Sequence, residues 1–196
     1  MGPVMAEARP DKPAWRARLK SARAALPETE RASASARIRM QVLALDAVRE
    51  ARTVFCFVSR GDEVETHALI DALAAGGRTV LVPRVAGPED MIAVEFPGWA
   101  ALKPGVLGIP APASERPYAG RVDVVITPGL GFTADGARLG MGRGYYDRWF
   151  AAHPCGLSMG VCFECQLVPG LPATATDVPV DLIVTEQRVV RTGSRR

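Results

Sequence analysis

The sequence predicts one α/β domain, a three-layer α/β/α arrangement around a mostly parallel, Rossmann-like sheet. Two observations carry that expectation. Short apolar runs rich in β-branched and aromatic residues, at 53–58, 79–83, 122–127, 157–162 and 180–185, alternate with helical segments, an order that builds a parallel sheet covered on both faces. The length of 196 residues suits one domain with a core that needs no staples, and neither an internal repeat nor a domain-scale linker divides it.

Each element has its own local reason. Residues 14–26 are dominated by Ala, Arg, Leu and Lys and close at Pro27, which reads as a helix. A second helix starts at Pro27-Glu28-Thr29-Glu30, with Ile38, Val42 and Leu45 at helical intervals. Residues 66–75 form a helix that Gly76-Gly77 ends, 92–96 suit a sheet edge, 102–117 are a Pro- and Gly-rich loop, and 145–152 are helical. Residues 1–13, mixed and Pro-containing, are expected to be a flexible tail, 14–190 the domain, and 191–196 a basic tail.

Composition narrows the function. Net charge is only +3 and the basic residues are scattered, so no concentrated face suits duplex nucleic acid. The apolar runs are too short to cross a bilayer, and no signal-like segment opens the chain. A cytoplasmic protein is expected, with no nucleic-acid or membrane partner and a monomeric state. Cys162-Phe163-Glu164-Cys165 has CxxC spacing, but no second CxxC or close His pair completes a tetrahedral zinc site; the four cysteines read as structural or incidental thiols. His67 and His153 have no catalytic neighbourhood, which argues against a hydrolytic triad.

The most informative stretch follows the strand at 122–127. Gly140, Gly142 and Gly144 remove every second Cβ, which lets backbone N–H groups approach a phosphate. Arg138 and Arg143 add forked donors, and Asp147 sets a carboxylate where Mg²⁺ would bridge protein and phosphate. There is no Gly-Lys-Ser/Thr ending, so this is not a P-loop, and the third glycine comes one position early for a dinucleotide fingerprint.

Pro128-Gly129-Leu130-Gly131-Phe132, Gly136, Arg138-Leu139-Gly140 and Gly142-x-Gly144-Tyr145-Tyr146-Asp147 together resemble the signature of the 5-formyltetrahydrofolate cyclo-ligases, also called 5,10-methenyltetrahydrofolate synthetases. The resemblance runs from about Lys12 to Glu186. Lys12-x-x-Trp15-Arg16, followed by Arg23-x-x-Leu26-Pro27-x-x-Glu30-Arg31, resembles the family's N-terminal pattern and implies that Lys12 and Arg16 help hold ATP; four apart, they would share a helix face. Glu63-Val64-Glu65-Thr66 resembles the element whose first glutamate contacts folate, although Thr66 and its acids also suit a helix N-terminus. Leu81-Val82-Pro83-Arg84-Val85 and Met91 match positions around the folate pocket, and Asp177-Val178-Pro179-Val180-Asp181 resembles the closing element whose first acid is associated with Mg²⁺.

The resemblance therefore implies an ATP- and Mg²⁺-dependent conversion of 5-formyltetrahydrofolate, with or without a polyglutamate tail, to 5,10-methenyltetrahydrofolate, releasing ADP and phosphate. It implies Arg138 and Arg143 as catalytic groups. ATP is assigned to Lys12, Arg16, Arg138, Gly140, Gly142, Arg143, Gly144, Tyr145 and Tyr146. The folate is assigned to Glu63, Pro83, Met91 and Tyr146, and Mg²⁺ to Asp147 and Asp177. Three departures, Thr133, Ala111 and Thr176, stand where the family often has other residues. They keep open a paralogue that binds nucleotide or folate for another step; a nucleotide- or RNA-binding module is the remaining alternative.

Overall fold

A computed structural model of the chain describes residues 11–193; the outer parts of both expected tails, 1–10 and 194–196, lie outside the described residues. In chain order the helices are α1 (Lys12–Ala24), α2 (Glu28–Ala44), α3 (Asp46–Glu50), α4 (His67–Ala75) and α5 (Tyr145–Ala152). The strands are β1 (Thr53–Cys56), β2 (Thr79–Val85), β3 (Met91–Glu95), β4 (Leu102–Lys103), β5 (Ala111–Pro112), β6 (Val122–Thr127), β7 (Gly131–Phe132), β8 (Arg138–Leu139), β9 (Cys155–Val161), β10 (Leu182–Val184) and β11 (Val189–Arg191).

Seven strands form the main sheet in the order β11-β10-β9-β6-β1-β2-β3. The pairs β1–β2, β1–β6, β6–β9 and β9–β10 are parallel, whereas β2–β3 and β10–β11 are antiparallel and close the two edges. From β1 the chain moves outward to β2 and then returns to β6 on the other side of β1. The crevice between β1 and β6 is thus the topological switch point, where ligands of open α/β sheets collect beyond the strand carboxyl ends.

Alternation within the strands divides the core. Val54 and Cys56 of β1, with Val124 and Ile126 of β6, pack beneath α2 and α4 through Ile38, Val42, Leu69, Ile70 and Leu73. Phe55 and Val125 face the opposite side and meet Trp149 and Phe150 of α5, as the two-residue period of a strand requires. Helix α1 covers neither face of the main sheet centrally; its Leu19 packs with Leu130 and Leu139 over the small β7–β8 hairpin. That hairpin admits the helix because Gly131 has no side chain: a Cβ there would lie 2.5 Å from Leu19 Cδ1.

Three local differences from the sequence reading have clear causes. Helix α1 begins at Lys12 rather than at 14, because Asp11 caps it through Oδ1 to the Ala14 amide at 3.1 Å and Pro13 sits in its first turn. Arg191, expected in a tail, ends edge strand β11, paired with Leu182. Strand β2 continues through Pro83 to Val85, since pairing with β1 stops at Leu81 and the missing Pro83 N–H is not needed on that side. Among the described residues no helix is long and apolar enough to cross a membrane.

Candidate active site

Two chain segments leave the carboxyl ends of parallel strands and converge with helix α1. After β1, the loop at 57–66 is braced at its base: Ser59 N donates to Thr66 Oγ1 and Thr66 N to Ser59 Oγ, both at 2.9 Å, while Thr66 Oγ1–H reaches Phe57 O at 2.8 Å. Thr66 is fully buried and belongs to the scaffold. At the loop tip the Arg60 amide donates to Glu63 Oε2 at 3.0 Å. Burial pushes the Glu63 carboxyl pKa up and Asp62 adds to this, against the opposing Arg60 amide and the Arg23 and Arg60 charges.

After β6, the chain makes the β7–β8 hairpin and then runs through 140–144 into α5. Gly142 has φ +100° and Gly144 φ +67°, conformations that L side chains rarely adopt. The amides of residues 141–144 donate to no group among the described residues, so they are left for solvent or an anion. Helix α5 begins at once, with Asp147 in its first turn and no side-chain cap, so its own free N–H groups extend the same positive surface.

Helix α1 supplies the third side. Lys12, Arg16, Leu19 and Arg23 follow a 4-3-4 spacing, one stripe of the helix. Arg16 Nε donates to Gly140 O at 3.0 Å, and its Cζ lies 3.2 Å from where a Gly142 Cβ would be. Lys12 Nζ bonds both Asp177 oxygens, at 2.8 and 2.6 Å. Arg143, by contrast, is exposed.

Two ion pairs dominate the electrostatics. Arg138 Nη2 donates to Asp147 Oδ1 at 2.7 Å, with the arginine side chain 3% and the aspartate 20% exposed. The Val178 amide reaches the same Oδ1 at 3.2 Å, placing the Asp177 segment beside Asp147. Asp147 Oδ2 accepts no hydrogen bond among the described residues, whereas both Asp177 oxygens are engaged by Lys12 and the Thr174 amide. Burial pushes the Asp177 carboxyl up, but the Lys12 and Thr174 contacts outweigh it and hold its pKa below the ordinary value. Arg138 Cζ lies 5.7 Å from the centre of the Tyr146 ring. Arg138 Nε and the Tyr146 hydroxyl are buried without partners among the described residues; burial drives the phenol pKa well up, so it stays a donor.

No group of three or more His, Cys, Asp or Glu that could hold a metal occurs among the described residues. Mg²⁺ nevertheless suits the two carboxylates, because it keeps several waters and shares phosphate oxygens instead of needing an all-protein cage. Asp147, with one free oxygen, is the better-prepared ligand.

Every residue given a catalytic, ATP, folate or Mg²⁺ role lines one cleft of about 1040 Å³: Lys12, Arg16, Glu63, Pro83, Met91, Arg138, Gly140, Gly142, Arg143, Gly144, Tyr145, Tyr146, Asp147 and Asp177. Of the three departures, Ala111 and Thr176 line it as well. Thr133 is buried in the hairpin turn, where its Oγ1 bonds Asp135 and accepts from the Ala137 amide. The cleft also contains Arg84, from the run that matched folate-pocket positions, and Arg23, Arg60, Val106 and Ile109, to which the sequence assigned no ligand. Arg23 had a signal, the α1 stripe that it completes. Val106 and Ile109 lie in a Pro- and Gly-rich loop whose path no local pattern specifies. The cysteines stay apart from the cleft; none forms a disulfide, and burial raises the Cys162 and Cys165 thiol pKa values.

The chain is similar to known proteins in both sequence and fold. The sequence pattern of the 5-formyltetrahydrofolate cyclo-ligase family matches residues 8–186. A 5-formyltetrahydrofolate cyclo-ligase of Escherichia coli K12 is 34% identical over 148 residues, covering 71% of this chain and 80% of its own. The mouse cyclo-ligase is 28% identical over 190 residues, covering 87% and 91%. Among solved structures, the 5,10-methenyltetrahydrofolate synthetase of Aquifex aeolicus superposes with a TM-score of 0.82 at 30% identity, covering 94% of each chain. The Mycoplasma pneumoniae synthetase, at 22% identity and a TM-score of 0.70, shares the fold.

Proposed function

Because this chain belongs to the 5-formyltetrahydrofolate cyclo-ligase family, we propose that its cleft converts 5-formyltetrahydrofolate to 5,10-methenyltetrahydrofolate, using ATP and Mg²⁺ and releasing ADP and phosphate. The observation that carries the reading is the meeting of a phosphate-type cradle (Lys12, Arg16, Arg138 and the amides of 141–144) with a half-buried carboxylate, Glu63, in one cavity at the β1/β6 switch point.

Both nucleophiles belong to the substrate, so the protein's work is alignment and charge neutralisation. The formyl oxygen bonds to the γ-phosphorus as ADP leaves, which turns a poor leaving group into a good one. Folate N10 then bonds to the activated carbon and gives up its proton, and the C–O bond breaks to release phosphate. Arg138 and Arg143 stabilise charge on the transferring phosphoryl group, as forked donors suit. Lys12 and Arg16 hold the nucleotide phosphates, and Gly140, Gly142 and Gly144 let the backbone come close. Mg²⁺ would neutralise phosphate charge, held by Asp147 and Asp177. Glu63 orients the folate as an acceptor, while Pro83, Met91 and Tyr146 flank it.

A spectrophotometric assay for the methenyl product tests this. Product formed from 5-formyltetrahydrofolate only when ATP and Mg²⁺ are both present is expected. ATP hydrolysis that ignores the folate, or no product at all, contradicts it.

A further inference from the structure

Helix α1 reaches both ends of the cleft, and its nucleotide contacts account only for its first half. Arg23, in the last turn, is 5% exposed and lines the cleft. Its Nη2 donates to Asp62 Oδ1 at 2.7 Å, while its Nε is buried without a partner among the described residues. A buried guanidinium with an unmet donor costs stability, and an apolar residue would fill the same space more cheaply. Asp62 directly precedes Glu63. Their turn is closed by the Glu63 amide to Arg60 O at 3.2 Å and the Arg60 amide to Glu63 Oε2. Fixing Asp62 therefore fixes the peptide from which the Glu63 side chain departs, and the fixed point is the helix that carries Lys12 and Arg16.

Building on the cyclo-ligase reading, we infer that Arg23 is a positioning residue for the folate: by anchoring Asp62 it sets where Glu63 meets the substrate and ties that turn to the nucleotide-gripping helix. The charged groups that act on Glu63 are Arg23 from α1 and Arg60 and Asp62 from its own turn. Arg23 favours the carboxylate form and Asp62 opposes it, so geometry and charge can be separated by experiment.

Steady-state kinetics of the full chain carrying Arg23→Met, Arg23→Lys or Asp62→Asn, run across pH beside melting curves, decide the question. Each of Arg23→Met and Asp62→Asn should raise KM for 5-formyltetrahydrofolate by about tenfold, the size of a lost charge-assisted hydrogen bond. Binding of ATP measured without folate should not change. Arg23→Lys should recover part of the loss. The acid limb of kcat/KM should move to higher pH in Arg23→Met and to lower pH in Asp62→Asn. Adding either change to Glu63→Gln should cost little more, since all three act through one contact. A lowered melting temperature with unchanged KM and an unmoved acid limb makes Arg23 a structural prop and overturns the inference. If Arg23→Met does not fold, wild-type KM in Asp62→Asn overturns it equally. Wild-type protein that forms no methenyl product removes the cyclo-ligase reading and this inference together; active wild type with indifferent variants removes the inference alone.

Discussion

On the side of the cleft proposed to hold the nucleotide each carboxylate faces a cation, Asp147 with Arg138 at 2.7 Å and Asp177 with Lys12 at 2.6 Å. On the side proposed for the folate Glu63 accepts from a backbone amide of its own turn, and burial raises its pKa. The first arrangement stores its charges as internal pairs, so phosphate would have to draw Lys12 and Arg138 away from their carboxylates, while Asp147 Oδ2 and the amides of 141–144 have no partner to give up among the described residues. The second keeps a costly acceptor that a donor on the substrate would relieve. The backbone differs too: the amides of 141–144, around Gly142 and Gly144 at positive φ, donate to no group among the described residues on the first side, whereas a braced turn and a buried Thr66 set the second.

The strongest way to break the nucleotide side is Arg138→Met. It strands the Asp147 carboxylate beside an apolar side chain, and losing one partner of a buried pair costs about 3 kcal/mol. Removing a phosphoryl-stabilising donor should also lower turnover by about 10²–10³. Denaturant unfolding together with single-turnover kinetics checks both; unchanged stability would mean that the pair is not buried in solution.

Asp147→Asn acts on the same pair from the acid side with little change in volume. The Mg²⁺ concentration for half-maximal turnover should rise by about tenfold or more, as loss of a metal partner does. A Mg²⁺ titration that overlays the wild type excludes Asp147 as a ligand.

Glu63→Gln probes the other side. The amide keeps the shape and loses the negative acceptor, so kcat/KM for 5-formyltetrahydrofolate should fall by about 10- to 100-fold. The wild-type pH profile sharpens the point. Folate recognition needs the carboxylate, and the raised pKa means that it is lost, as pH falls, earlier than an ordinary glutamate would lose it. The stability sign is opposite: a raised folded-state pKa favours the protonated form, so this group's contribution to stability declines as pH rises from the unfolded toward the folded value. The acid limb of kcat/KM should vanish in Glu63→Gln; a limb that persists belongs to another group.

The smallest effect belongs outside both halves. Cys162→Ser with Cys165→Ser should leave kcat/KM unchanged and cost about 1–2 kcal/mol of stability, from a hydroxyl replacing the buried Cys162 thiol. Zinc lost together with activity would contradict the thiol reading.

The strands with continuous apolar, β-branched sequence were readable because burial on both faces leaves no room for polar residues, as at Val54-Phe55-Cys56 and Val124-Val125-Ile126. Strand β11 was not, since it spans only three residues and Val189 is exposed, which leaves no apolar run to read. The short α3 spans too few residues to show a period. The start of α1 was written in Asp11-Lys12-Pro13, a cap followed by a first-turn proline, and was obscured by reading Pro13 as a tail residue. In the site, residues in one contiguous motif, such as Arg138 to Asp147, were readable from spacing. The partnerships Lys12–Asp177 and Arg23–Asp62 join residues far apart in the chain, and only the fold brings them together.

The central claim is that one cleft has two separately built halves, and calorimetry with each ligand alone tests it most directly. ATP with Mg²⁺ and 5-formyltetrahydrofolate would be titrated separately into wild type, Gly142→Ala and Glu63→Gln. At Gly142 a Cβ meets φ +100° and Arg16 Cζ at 3.2 Å, a strain on the order of 1–2 kcal/mol that falls on the cradle. The account predicts that Gly142→Ala weakens ATP by about tenfold and spares the folate, while Glu63→Gln weakens the folate and spares ATP. Both variants losing both ligands equally, or neither variant losing either, would contradict it.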